Sequence, residues 1–147
     1  NGDLARYLAG HPQTDLHQRV TWALQIADGL AWLHHRRVVW ADCTLRNVLL
    51  TADFQVRLSD FEGSGFHMKP NNSEEVWVRN SAIAPARYLD PEAPLEANYN
   101  GDPRVDIYAF GCVFLELLLS LDGAPADVSD EQLHGRMSPF TVIRPPV

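Results

Sequence analysis

Apolar residues recur at three- and four-residue spacing through Leu16, Val20, Ala23, Leu24, Ala27, Leu30 and Ala31. That spacing predicts one long helix with a single buried stripe, capped by Thr14 or Asp15 and running to about His35. A shorter helix is predicted over Asn1 to Leu8. Gly2-Asp3 is its start signal, Leu4, Tyr7 and Leu8 share a face, and Gly10-His11-Pro12 stops it.

Val38-Val39-Trp40 reads as a short extended run, and Val48 to Leu50 and Val56 to Leu58 flank the turn-like pair Ala52-Asp53 as a small hairpin. From Asp60 to about Pro94 no period is sustained, and long loops inside a compact domain are often functional. Asp106 to Leu119 is apolar nearly all round, which predicts a helix central to the core. The tail, with Pro125, Pro139, Pro145 and Pro146, offers at most one short helix near Asp130 to Arg136. The expected class is α+β, predominantly α.

Composition narrows the function classes. The 147 residues suffice for one domain with a real core, and 46% hydrophobic against 21% charged residues is an ordinary globular balance. A formal charge of -7 argues against nucleic acid as a partner, because binding a phosphate backbone needs clustered Lys and Arg. Cys43 and Cys112 form neither a disulfide framework nor a zinc motif, so a reducing compartment, cytoplasmic or otherwise intracellular, is expected. No apolar run approaches the roughly 20 residues of a membrane span, since the richest, Ile107 to Leu121, is interrupted by Glu116. The chain opens at Asn1 within a helical pattern, which reads as a piece of a longer protein.

Four features follow one another in a fixed order. They are Asp42-Cys43-Thr44-Leu45-Arg46-Asn47 after the long helix, Asp60-Phe61-Glu62 after the hairpin, Pro85 to Glu92, and Asp106-Ile107-Tyr108-Ala109-Phe110-Gly111 opening the apolar helix. Singly each is weak: Asp42 reads as a cap, Asn47 as a turn residue and Asp60 as a loop carboxylate, since Asp and Asn are common turn formers. In this order, on the expected elements, they resemble the protein-kinase family over about residues 2 to 121, from the helix after the hinge to just past the large central helix.

The resemblance implies a protein-kinase-like fold of which residues 1–147 are the C-lobe portion only. It implies phosphoryl transfer from ATP with magnesium to a protein substrate, which requires an aligned acceptor hydroxyl and neutralised phosphate charge. Asp42 would be the catalytic base, Asn47 and Asp60 the magnesium ligands, and Leu49 the residue under the adenine ring. Arg46, Pro85 and Arg87 would meet the protein substrate. Phe61, Glu92 and Asp106 would be structural, with Asp106 as a buried carboxylate bonded to the catalytic-loop backbone and Glu92 as an ion-pair residue. His34 and His35 read as surface or packing histidines, and Cys43 as a small apolar filler.

The sequence also departs from the family. Trp40 and Ala41 stand where His and Arg are usual, and Ala41 cannot pair with a phosphate on the following loop. Glu62 replaces Gly, with Gly63 next, and Asp90 replaces the Ala before Pro91-Glu92. Thr44 stands where serine/threonine kinases carry Lys, whereas Arg46 and Pro85-Ala86-Arg87-Tyr88 look like the tyrosine-kinase versions. The Gly-rich phosphate loop, the lysine strand and the helix with its Glu partner have no counterpart, so this stretch alone is expected to be inactive. An alternative is a pseudokinase or scaffold with a kinase fold; a small-molecule phosphotransferase is remoter.

Overall fold

The computed structural model describes residues 2–66, 88 and 102–119. Pro85, Arg87, Glu92 and the expected helix near Asp130 to Arg136 lie outside them.

The chain starts as a strand, β1 (Gly2–Asp3), and only then becomes helix α1 (Leu4–Gly10). The helix expected from the first residue is corrected here. Asp3 is extended, and its side chain accepts the Arg6 N–H at 2.8 Å. An N-cap of this kind sets the helix start and leaves the residues before it free to pair with another strand.

Helix α2 spans Leu16–His35 and is capped by Asp15, which accepts the His17 N–H at 3.0 Å. It ends where Arg37 enters left-handed backbone at φ 60. The stripe it buries shares Ala23 and Leu30 with the expected set but is otherwise rotated from it. Trp22, Ala23, Ile26, Leu30 and Leu33 face inward together with Arg19, while Leu16 and Leu24 are 58% and 63% exposed. Trp22 and Ile26 are large apolar side chains, and burying such a side chain stabilises by about 1.5–3 kcal/mol. Arg19 is admitted because all three arms of its guanidinium find carbonyls: Thr14 at 2.9 Å, Leu117 at 3.0 Å and Pro12 at 2.7 Å.

After α2 come β2 (Val38–Val39), a single 3-10 turn (Leu45–Asn47), β3 (Val48–Leu50), β4 (Val56–Leu58) and β5 (Gly65–Phe66). β3 and β4 form the expected antiparallel hairpin, with Val48 opposite Leu58 and Leu50 opposite Val56. The turn is wider than the Ala52-Asp53 pair: Thr51 N–H donates to Gln55 O at 3.0 Å, and Phe54 takes the left-handed position at φ 60. β1 adds to the other edge of β3. β2 and β5 make a separate two-stranded ladder, so a strand begins inside the stretch expected to be structureless.

Helix α3 (Arg104–Leu119) packs on α2. Ala109, Cys112, Val113 and Leu117 join the core with Leu4, Trp40 and Val48. The all-round burial expected for α3 is corrected as well, because Ile107 and Phe114 are exposed. Among the described residues no helix is long and apolar enough to cross a membrane.

Candidate active site

The loop from β2 to the 3-10 turn is fixed from beneath by one carboxylate. Asp106, in the first turn of α3, has no exposed surface. Its Oδ2 accepts the Trp40 N–H at 2.8 Å, its Oδ1 accepts the Ala41 N–H at 2.7 Å, and His34 Nε2 lies 2.7 Å from Oδ2. Hydrogen bonds to an ionised acceptor are the strong kind. They hold Ala41 at φ 66, a conformation disfavoured for any residue with a side chain. Cys43, Thr44 and Leu45 are buried under the loop.

This anchoring leaves Asp42 half-buried at the surface of the loop. The 3-10 turn brings Asn47 back to it: Asn47 Nδ2 donates to Asp42 Oδ2 at 2.6 Å and to Asp42 O at 3.0 Å. Asn47 O accepts both the N–H and the hydroxyl of Ser59, at 2.9 and 2.8 Å. The next residue is Asp60, exposed and left-handed at φ 57. Asp42, Asn47 and Asp60 therefore gather at one place from the loop and from the end of β4.

The electrostatics follow from this crowding. Burial raises the pKa of Asp42, the Asn47 amide opposes that rise, and the charge of Asp60 adds to it. A carboxylate moved upward is better matched to accept a proton near neutral pH. The Cys43 thiol is pushed well up, first by burial and then by Asp106 and Asp42, so it is not a nucleophile.

Among the described residues no group of three or more His, Cys, Asp or Glu forms a metal cage. Magnesium does not require one, since it is usually held by one or two protein oxygens together with phosphates and water. Asn47, whose nitrogen is engaged by Asp42, and Asp60 are oxygen donors that fit this pattern.

The other sequence candidates are spread around the cluster. Leu49 is exposed on β3, opposite Asp3 on one side and Arg57 on the other. Arg46 is exposed in the 3-10 turn. Phe61 is 44% exposed, with its ring 6.1 Å from that of Trp40. Tyr88 is buried, and its hydroxyl donates to the Glu116 carboxylate at 2.9 Å. Sequence reasoning missed two contributors. His34 meets Asp106 across 72 positions, and the Trp40 indole N–H donates to Ser59 O at 3.0 Å and Asp60 O at 3.2 Å. The one signal for Trp40 was its oddity at that position.

A family model described as protein tyrosine and serine/threonine kinase matches residues 1–139. The chain is 33% identical over 91% of its length to the LRR receptor-like serine/threonine-protein kinase ERL2 of Arabidopsis thaliana. It is 26% identical over 90% of its length to the insulin-like growth factor 1 receptor of Xenopus laevis. With the serine/threonine-protein kinase PDK1 of Cryptococcus neoformans it shares 29% identity over 80% of its length. It spans 14%, 10% and 10% of those three proteins.

Proposed function

The chain belongs to the protein tyrosine and serine/threonine kinase family, and from that premise we propose that it is the catalytic-loop lobe of a protein-kinase domain. The complete protein transfers the γ-phosphate of ATP to a protein hydroxyl. The observation that carries this reading is the Asp42–Asn47 hydrogen bond on one tight turn, with Asp60 tied beside it through Ser59.

In this reading Asp42 accepts or orients the proton of the acceptor hydroxyl, and its raised pKa suits that role. Asn47 fixes Asp42 with its amide nitrogen and, with Asp60, holds magnesium. The ion, when bound, neutralises charge on the transferring phosphate. Leu49 lies against the adenine, and exposed Arg46, with Pro85 and Arg87, guides the protein substrate. The lobe that grips the nucleotide belongs to the rest of the protein. The two free buried cysteines are in keeping with a reducing, intracellular setting.

The test is Asp42→Asn in the complete protein, assayed for transfer of labelled γ-phosphate to protein acceptors. Loss of a general base lowers the rate by about 100-fold or more. Undiminished turnover removes Asp42 from the chemistry, and a wild-type protein that binds partners but transfers nothing favours the scaffold reading.

A further inference from the structure

Phe54 is held in a disfavoured backbone conformation and still faces solvent. It sits at φ 60 in the β3–β4 turn and is 40% exposed. A bulky residue at positive φ is a backbone outlier, and such strain collects at ligand clamps and other functional places. Other groups hold it there. Trp22 donates its indole N–H to Phe54 O at 2.9 Å, and Tyr7 meets the rings of Phe54 and Trp22 edge to face, each at 5.7 Å.

His11 stacks flat on Tyr7 with the rings 4.1 Å apart. Its Nδ1 lies 2.9 Å from Tyr7 O, and a carbonyl only accepts, so Nδ1 carries the proton. The His11 carbonyl is tied by the N–H and the hydroxyl of Thr14, at 3.1 and 2.6 Å. Rings from α1, the link after it, α2 and the hairpin turn are thus fixed in advance, and a preorganised surface loses little entropy on binding.

Beside the Phe54 ring stands Asp53, which is exposed and has no ion-pair partner among the described residues. The Thr51 hydroxyl donates to it at 2.5 Å and lowers its pKa, with a smaller contribution from Arg57, so it is charged at neutral pH. An aromatic face next to a carboxylate suits arginine, whose guanidinium stacks on rings and pairs with carboxylates. The net charge of -7 favours a basic partner as well. β3, three residues long, leads from Asn47 toward this turn. The surface therefore lies on the order of 10–15 Å along the chain from Asn47, a span that a handful of extended residues covers.

We propose that Phe54 and Asp53, backed by Tyr7 and His11, form a docking surface for an arginine-bearing segment of the protein substrate. That the segment belongs to a substrate rests on the kinase reading; that it carries arginine rests on the surface alone.

The experiment uses the complete protein and a short fluorescein-labelled peptide of arginine, leucine and glycine. Its twin replaces each arginine by citrulline, which has nearly the same shape and no charge. Fluorescence anisotropy measures binding of both. Phe54→Asn removes the ring and relieves the backbone, since Asn tolerates left-handed φ. Phe54→Tyr keeps the ring, and Asp53→Asn removes the charge. A second readout is transfer of labelled phosphate to a serine peptide with and without the arginine segment attached.

Phe54→Asn and Asp53→Asn should each weaken the arginine peptide about fivefold, the size of one exposed cation–π contact or ion pair. Phe54→Tyr should bind as wild type does. The citrulline twin should bind more weakly and be indifferent to all three substitutions. Attaching the arginine segment should lower KM for the serine peptide and leave kcat unchanged, and Phe54→Asn should abolish that advantage. Equal binding of the two peptides, or arginine-peptide binding that neither Phe54→Asn nor Asp53→Asn weakens, overturns the proposal. Arginine-dependent binding with no transfer by the wild-type protein would instead defeat the kinase reading and leave the surface standing.

Discussion

Trp22 and Trp40 are both without exposed surface, and each donates its indole N–H to the carbonyl of a residue near φ 60: Phe54 for Trp22, Asp60 for Trp40. The turns they fasten differ in what else holds them. Around Phe54, Thr51 and Gln55 exchange backbone and hydroxyl hydrogen bonds, and Gln25 of α2 accepts the Val56 N–H at 2.8 Å. Around Asp60 the bonds go to its neighbours Ser59, Phe61 and Ser64. The hairpin turn is over-determined, whereas Asp60, the candidate functional residue, is itself met by one donor among the described residues. Functional segments are commonly drawn from the less stable parts of a fold.

The largest difference should come from Asp106. Asp106→Ala leaves the Trp40 and Ala41 N–H groups and the His34 ring without their acceptor in a buried site. Opening such a site costs about 3–5 kcal/mol. Urea unfolding of the complete protein measures the loss. Amide exchange should accelerate from Trp40 to Ser64 and stay slow through Thr51 to Val56. A loss below about 1 kcal/mol, the size of one ordinary hydrogen bond, would show that Asp106 does not anchor the loop.

Trp22→Phe should be milder, at about 1 kcal/mol, because the orphaned Phe54 carbonyl is only partly buried and the other bonds of the hairpin remain. Its exchange effect should be confined to the hairpin turn. Faster exchange at Asp60 after this substitution would mean that the two turns are one cooperative unit and would break the comparison.

Part of this was legible in the sequence. Asp15 and the apolar period located α2, and two short apolar runs flanking the turn-like Ala52-Asp53 pair located the hairpin. The phase of α2 was not legible, because a helical period gives a stripe without naming its partner. Trp22 and Ile26 outcompete Leu16 and Leu24 for the core, and Arg19 enters it by finding three carbonyls, one of them 98 positions away. β1 is two residues long, too short for any period to register. Asp42, Asn47, Asp60 and Asp106 could be singled out because their order resembled a family. The bonds of His34 and Trp40 join distant segments, and no local pattern announces them.

The smallest effect concerns the sign of a pH dependence, which should be opposite in the two turns. In the hairpin, the Thr51 hydroxyl donates to Asp53 and lowers its pKa. The folded protein then releases that proton more readily than the unfolded chain, so Asp53 supports folding at neutral pH and loses that support as pH falls through its lowered value. Beside Asp60, burial and the neighbouring charge raise the pKa of Asp42. Here the folded protein keeps its proton to higher pH than the unfolded chain, whose carboxyl titrates near ~4. Stability therefore falls as pH rises through that window, and the ionised Asp42 is a standing burden above it. Asp53→Asn should be less stable than wild type at pH ~7 and level with it in strong acid, below both values. Asp42→Asn should be level in acid and equal or superior at pH ~7. Unfolding curves of both variants from pH ~3 to ~7 decide the matter. Two curves sloping the same way would mean that Asp42 carries no functional strain, and the contrast between a turn built for stability and one built around repelling carboxylates would fail.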